Sequence, residues 1–218
     1  MSGHPSRARL VAFGALALST AFCVGLLVIR PRVVGALGHV YLVWNLFLAW
    51  IPFTVALVYA DRAKRGKHGL AQGMLLATWL VFLPNAPYIV TDLIHLTEYA
   101  SSPLWFDATL YAAFAWTGLM LGLVSLYLVH RTVRARRGSL QGWAAALAAV
   151  SMCGVGIYLG RFLRWNSWDV LTNPSALLAD LSRFADPTSK PAAVAAVFAT
   201  FMAVAYLAMY SLAQLRED

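Results

Sequence analysis

Hydrophobic residues are concentrated in six long segments of the chain, and most charged residues lie at their ends or in the connections. A bilayer core of roughly 30 Å requires about 20 apolar residues in a helix. All six segments reach this length, so we predict an all-α, polytopic membrane helix bundle with about six transmembrane helices. The predicted spans cover residues 10–29, 37–60, 70–90, 104–129, 140–163 and 191–213.

The composition supports this class of protein. Of the 218 residues, 61% are hydrophobic and only 12% are charged, whereas soluble domains contain about 25% charged residues. No soluble domain fits between the spans, so we expect residues 1–218 to form a single transmembrane helical domain. The chain has a net charge of +8, and its Lys and Arg residues flank the apolar segments. This placement favours membrane lipid as the partner and argues against nucleic acid.

The distribution of Lys and Arg predicts the orientation. Eleven lie on the side of the N-terminus and six on the opposite side, and the connection between the third and fourth spans has none. Because positive residues accumulate on the cytoplasmic side, we expect both termini in the cytoplasm. The expected location is the cell inner (plasma) membrane, crossed several times.

The third span is predicted to break at Pro84–Pro87, because proline removes a backbone donor and clashes with the preceding helical turn. Asn85 is expected to cap a second helix that starts near Pro87. That helix would continue to about Tyr99. It would carry Tyr88, Asp92, His95 and Tyr99 along one polar stripe.

Two further patterns concern packing and the outer surface. Asn173-Pro174 resembles a helix start and precedes an apolar stripe, so we predict a short interfacial helix near 174–185. The pairs Gly118/Gly122 and Gly156/Gly160 are spaced to let helices approach closely. Plain packing explains these glycine pairs without any function.

Polar residues from four segments converge on the predicted outer side, where they are costly beside lipid. We therefore predict an outer pocket that binds a ligand. Its expected lining is Asn45, Asn85, Asp92, His95, Asp107, Arg161, Arg164, Asn166 and Asp169.

Asp92 and His95 are spaced i, i+3 and share one helical face. Carboxylate oxygens and imidazole nitrogens are common zinc ligands. Asp107 and His39 lie on the same predicted outer side. Metal candidates are thus His39, Asp92, His95 and Asp107, with a divalent metal as the cofactor. Catalytic candidates are Asp92, His95 and Asp107. Alternatively, Asp92 and His95 pair with each other or with arginine in interfacial water.

Other polar residues also leave alternatives open. Arg161 and Arg164 either extend to lipid head groups or face inward and bind an anion. Asp107 either complements the helix dipole in the first turn or pairs with one of these arginines. Asn45 is expected to hydrogen-bond to another helix, for example to the carbonyl groups freed near Pro84.

Three segments resemble a known family. They are residues 44–52 (WNLFLAWIP), 82–96 (FLPNAPYIVTDLIHL) and 156–169 (GIYLGRFLRWNSWD). Together they are similar to the domain of unknown function 1361 family of bacterial membrane proteins, over roughly residues 35–210. The resemblance implies an integral membrane protein of about this size. It supplies no activity, because the family has no established function.

Three functions remain open at this stage. The first is binding or transport of a small polar or anionic ligand, or of a lipid head group, in the outer pocket. The second is a membrane enzyme, metal-dependent or not, that uses Asp92, His95 and Asp107. The third is a non-catalytic scaffold or assembly protein whose polar cluster stabilises the bundle.

Overall fold

The structure, a computed structural model, describes residues 7–35, 38–97 and 103–215. Every regular element in these ranges is helical. The predicted Tyr99 lies outside the described residues. The α-helices are α1 (Arg7–Val34), α2 (Tyr41–Lys64), α3 (Leu70–Phe82), α4 (Asn85–Tyr88), α5 (Leu104–Arg137), α6 (Ser139–Leu163), α7 (Asp169–Thr172), α8 (Pro174–Leu181) and α9 (Lys190–Gln214). Two 3-10 helices, Ile89–Thr97 and Ser182–Phe184, follow α4 and α8.

Six helical segments are long and apolar enough to cross a membrane, which confirms the predicted polytopic bundle. They are α1, α2, the segment from α3 through most of the first 3-10 helix, α5, α6 and α9. We call the end of the bundle where α2, α5 and α9 begin the upper end, and the opposite end the lower end. The upper end corresponds to the predicted outer side.

The fourth span, α5, is the central helix. It packs against α1, α2, α4, the first 3-10 helix and α6, while α9 packs mainly against α6. Burial is correspondingly deep along α5, where Leu110, Phe114, Leu121 and Leu126 are fully buried. Side chains of α5 therefore contribute to both buried apolar clusters of the bundle.

The predicted break in the third span is confirmed. Helix α3 ends at Phe82, α4 occupies four residues, and the chain continues as a 3-10 helix to Thr97. The predicted cap is wrong, however. Asn85 lies inside α4, and its amide donates to Phe82 O (2.9 Å) and to Ser167 Oγ (2.8 Å). The side chain thus satisfies a carbonyl freed by the break.

Both glycine pairs face this break. A Cβ atom at Gly118 would lie 2.6 Å from Ala86 O, and one at Gly156 would lie 2.5 Å from Pro84 Cγ. Gly122 and Gly160 face Ala86 and Tyr88 at 3.0 and 3.1 Å. The glycines therefore let α5 and α6 approach the broken segment from two sides, which holds α4 inside the bundle.

The predicted surface helix is present as α8 and the 3-10 turn that follows it. Pro174 occupies its first turn, as the pattern predicted. Trp165 Nε1 donates to Asp180 Oδ2 (2.8 Å), and Arg183 forms an ion pair with Asp180 at 3.0 Å. The Trp165 hydrogen bond joins α8 to the turn after α6, and the ion pair lies within the surface segment itself.

Candidate functional site

Arg161 on α6 organises a buried polar cluster at the upper end. Its Nη2 forms an ion pair with Asp92 Oδ1, its Nε donates to Thr91 Oγ1 at 2.8 Å, and its Nη1 lies 3.1 Å from His95 Nε2. The guanidinium carbon also lies 4.6 Å from the centre of the Tyr88 ring, within cation–π range. We call Asp92, Thr91, His95 and Arg161 the Arg161 cluster.

The carboxylate of Asp92 is saturated within this cluster. Asp92 is 1% exposed, and its second oxygen accepts a hydrogen bond from Asn45 Nδ2 at 2.9 Å. Arginine has only donors, so His95 Nε2 accepts the hydrogen bond from Arg161 Nη1. Together with Asn45, the Arg161 cluster therefore joins α2, the first 3-10 helix and α6. The expected hydrogen bond from Asn45 to another helix is confirmed, but the partner is Asp92 and not a carbonyl group near Pro84.

Asp107 belongs to a separate buried pair. Arg30 at the end of α1 donates to it through Nε (2.9 Å) and Nη2 (3.0 Å), and both residues are at most 2% exposed. The proposed pairing of Asp107 with Arg161 or Arg164 is therefore wrong. Arg30 was missed, although it lies, like Arg161, on the predicted outer side, where positive charge is usually avoided.

The metal candidates are divided between these two places. Asp92 and His95 contact Arg161, whereas Asp107 contacts Arg30 and His39 lies 5.2 Å, ring centre to ring centre, from Tyr111. Among the described residues, no group of three His, Cys, Asp or Glu side chains is placed to hold a metal ion. The structure thus does not bring the four candidates together.

A large cleft lies between α2, the broken third span and α6, beneath α8. Its volume is about 1060 Å³, at the upper limit of the roughly 300–1,000 Å³ typical of ligand pockets. Four of the nine predicted pocket residues line it, namely Asn45, Asn85, Arg164 and Asn166. Tyr88 and Ser167 also line it and were not predicted as ligand-binding residues.

The remaining predicted residues lie behind or beside the cleft. Arg161, Asp92 and His95 form the cluster behind Asn45 and Tyr88. Asp169 accepts from the backbone and side-chain nitrogens of Asn166 at 2.7 and 3.3 Å, which stabilises the turn before α7. The nine residues predicted to line one pocket are therefore divided: four line the cleft, three belong to the Arg161 cluster, Asp169 stabilises a turn and Asp107 pairs with Arg30.

Six helical segments that are long and apolar enough to cross a membrane define a multi-pass α-helical membrane protein. The sequence profile described as "Protein of unknown function (DUF1361)" matches residues 44–207, and the chain belongs to this family. No curated protein and no solved structure matches the chain. The matched region contains every residue of the Arg161 cluster, whereas Arg30 lies before it.

Proposed function

We propose that the protein binds one lipid-like amphiphile from the outer leaflet in this cleft. The observation that carries the proposal is the depth of the cleft. Its lining extends from Met152 on α6 to Arg164, the residue after this helix, which corresponds to about 18 Å at 1.5 Å per residue. One leaflet contributes about half of the roughly 30 Å hydrocarbon core, so the cleft spans one leaflet.

The lining changes character along this depth. The deep part is apolar, with Leu48, Leu80, Met152 and Val155. The mouth carries the polar groups, on Asn45, Asn85, Tyr88, Arg164, Asn166 and Ser167. This gradient suits a molecule with an apolar chain and a polar head, because each part meets surface of its own polarity.

Access to the cleft from the side, through the bilayer, also supports an amphiphilic ligand. Trp44 on α2 and Met152 on α6 line the cleft and are 53% and 48% exposed, so both edges face the surrounding bilayer. Leu177 and Leu181 of α8 cover the upper end. An amphiphile would enter sideways from the membrane, with its head beside α8.

The other functional classes have weaker support. Transport needs a polar path to the lower end, yet the deep part of the cleft is apolar. The catalytic candidates do not line the cleft. Asp92 and His95 belong to the Arg161 cluster, and Asp107 pairs with Arg30. A scaffold explains the saturated ion pairs but leaves the large cleft without a role.

The proposal includes the orientation of the protein in the membrane. With the upper end outside, the cleft opens to the outer leaflet of the bacterial inner membrane. A membrane-impermeant maleimide tests this placement, since Cys23 and Cys153 are both buried. The reagent should label Asn166→Cys in intact spheroplasts, but His68→Cys only after permeabilisation. The reverse pattern would place the cleft in the inner leaflet.

Filling the cleft tests ligand binding. Val155→Trp adds bulk to the apolar lining, whereas Leu147→Trp, on the same helix, lies outside the cleft and is 57% exposed. Native mass spectrometry of protein purified in mild detergent counts the retained lipid. We expect one lipid per chain in the wild type and in Leu147→Trp, and none in Val155→Trp. Equal retention in both variants would refute binding in the cleft.

A further inference from the structure

We infer that Arg164, assisted by the Tyr88 hydroxyl, binds an anionic phosphate or carboxylate group at the mouth of the cleft. The inference rests on the proposed function and specifies the head group of its ligand. Four observations support it: the charge of the cleft lining, the lack of a partner for the Arg164 side chain, the backbone conformation of Arg164 and the placement of Tyr88.

The cleft has a net positive charge. Among the described residues that line it, Arg164 is charged at neutral pH and none is Asp or Glu. The other polar groups are amides and hydroxyls of Asn, Ser and Tyr residues. An anionic head group would therefore meet attraction at Arg164 without facing a carboxylate in the lining.

Arg164 differs sharply from its neighbour Arg161. The guanidinium of Arg161 is committed to Asp92, Thr91 and His95. Arg164, three residues later, forms no side-chain hydrogen bond or ion pair with any part of the chain that the structure describes. Its guanidinium is thus available for the bidentate contact that arginine makes with phosphate or carboxylate.

The backbone at Arg164 is strained for a residue with a side chain. Its φ is 60°, in the left-handed region, where it ends α6. Trp165 N donates to Leu159 O (3.1 Å) across this turn. Glycine is the usual residue at such a helix end, and arginine there is unfavourable. Strain of this kind persists at functional sites, which agrees with a binding role for the guanidinium.

Tyr88 is held in place as a second donor. Its ring lies over Arg161 and against Gly160, where a Cβ atom would be 3.1 Å away. Its hydroxyl makes no hydrogen bond to the described residues, and Tyr88 lines the same cleft as Arg164. A hydroxyl and a guanidinium in one cleft together provide several donors to an anion.

Two lipids with identical acyl chains isolate the head-group effect. Phosphatidate carries a phosphate that diacylglycerol lacks, and binding of each is titrated by native mass spectrometry. The variants are Arg164→Gly, Arg164→Gln and Tyr88→Phe. Lys190→Gln is the matched control, because it removes one exposed positive charge at the same end. Arg164→Gly suits the left-handed turn, so its folding is not at risk.

We expect wild-type protein and Lys190→Gln to prefer phosphatidate by about tenfold, the effect of one charge-assisted hydrogen bond. Both Arg164 variants should lose most of this preference, with diacylglycerol affinity unchanged. Tyr88→Phe should reduce the preference by a few fold. Equal binding by the wild type, or an undiminished preference in Arg164→Gly, would overturn the inference.

Inorganic phosphate distinguishes the source of the anion. If sodium phosphate displaces phosphatidate from the wild type but binds neither Arg164 variant, the site accepts a free anion through the same residue. If it does not compete, the anion must be attached to a chain. Absence of diacylglycerol binding to the wild type would instead refute the proposed function, since that lipid tests the apolar cleft alone.

Discussion

Arg161 and Asp92 form an ion pair that ties α6 to the 3-10 helix after the break, with Asp92 1% exposed. Asn45 extends the connection to α2 through its hydrogen bond to Asp92. Three separate elements therefore depend on one pair of charges. The pair lies behind the cleft, so its role in the structure is to position Asn45 and Tyr88, which form part of the cleft lining.

Loss of the Arg161 charge should destabilise the bundle. Arg161→Ala leaves Asp92 buried without its partner, and removal of one member of a buried pair costs about 3–5 kcal/mol. Arg164→Ala, on the same helix, removes an unpaired charge and should change stability by at most about 0.5 kcal/mol. Unfolding in mixed detergent micelles measures both. Similar losses in the two variants would contradict the assignment of Arg161 as the engaged arginine.

The Arg30–Asp107 pair should respond differently to single and double substitution. Asp107→Leu alone leaves a buried guanidinium and should cost about 3–5 kcal/mol, whereas Arg30→Met with Asp107→Leu should be nearly neutral or stabilising by about 1–4 kcal/mol. Arg32→Met, two residues further along α1 and exposed, is the control. A double variant less stable than Asp107→Leu would show that the pair does more than join α1 to α5.

Glycine-to-alanine substitutions should have opposite effects at different positions. Gly118→Ala and Gly156→Ala place a methyl group against Ala86 O and Pro84, and such overpacking costs about 1–3 kcal/mol. A Cβ at Gly14 or Gly25 of α1 meets nothing within 4 Å, so alanine there should stabilise the helix by about 0.5–1 kcal/mol. Unfolding midpoints test the contrast, and equal effects at all four positions would disprove close packing at the break.

Asp186, in the connection before α9, provides a pH-dependent prediction. The Thr188 hydroxyl and backbone N–H donate to its carboxylate at 2.7 and 2.9 Å, and these bonds lower the pKa of Asp186 below its ordinary value. Because the folded pKa is the lower one, the stabilisation is present above the unfolded pKa and is lost as pH falls through the folded pKa.

Carbon-13 NMR titration of the Asp186 carboxyl group tests this prediction. Thr188→Val removes the hydroxyl and should raise the pKa of Asp186 toward the ordinary value. Thr188→Ser keeps a hydroxyl and should leave the pKa low. An unchanged pKa in Thr188→Val would exclude the hydroxyl as the main cause.

The sequence was sufficient for the six spans and for the break, because both follow from local chemistry. About 20 apolar residues define a span, and Pro84 and Pro87 interrupt the third one wherever it packs. The 3-10 geometry after Tyr88 could not be read from the i, i+3 spacing of Asp92 and His95, since both helix types place residues with this spacing on one side.

The partners of charged residues could not be predicted in the same way. The sequence left open whether Asp107 pairs with a cation, and Arg30, Arg161 and Arg164 were all on the predicted outer side. The choice depends on which helices pack together, and α1 against α5 places Arg30 beside Asp107. Similarly, Asn85 is directed to Ser167 rather than to a helix cap because the turn after α6 lies beside the break. Tertiary packing decided both contacts.

An experimental structure of the protein, purified with membrane lipid and bound to an antibody fragment for cryo-electron microscopy, tests the central claim most directly. An occupied cleft should contain elongated density about 18 Å long, with its head beside the Arg164 guanidinium and its end near Met152. A cleft closed by its own side chains, with α8 packed directly on α2 and α6, would contradict binding of an outer-leaflet amphiphile.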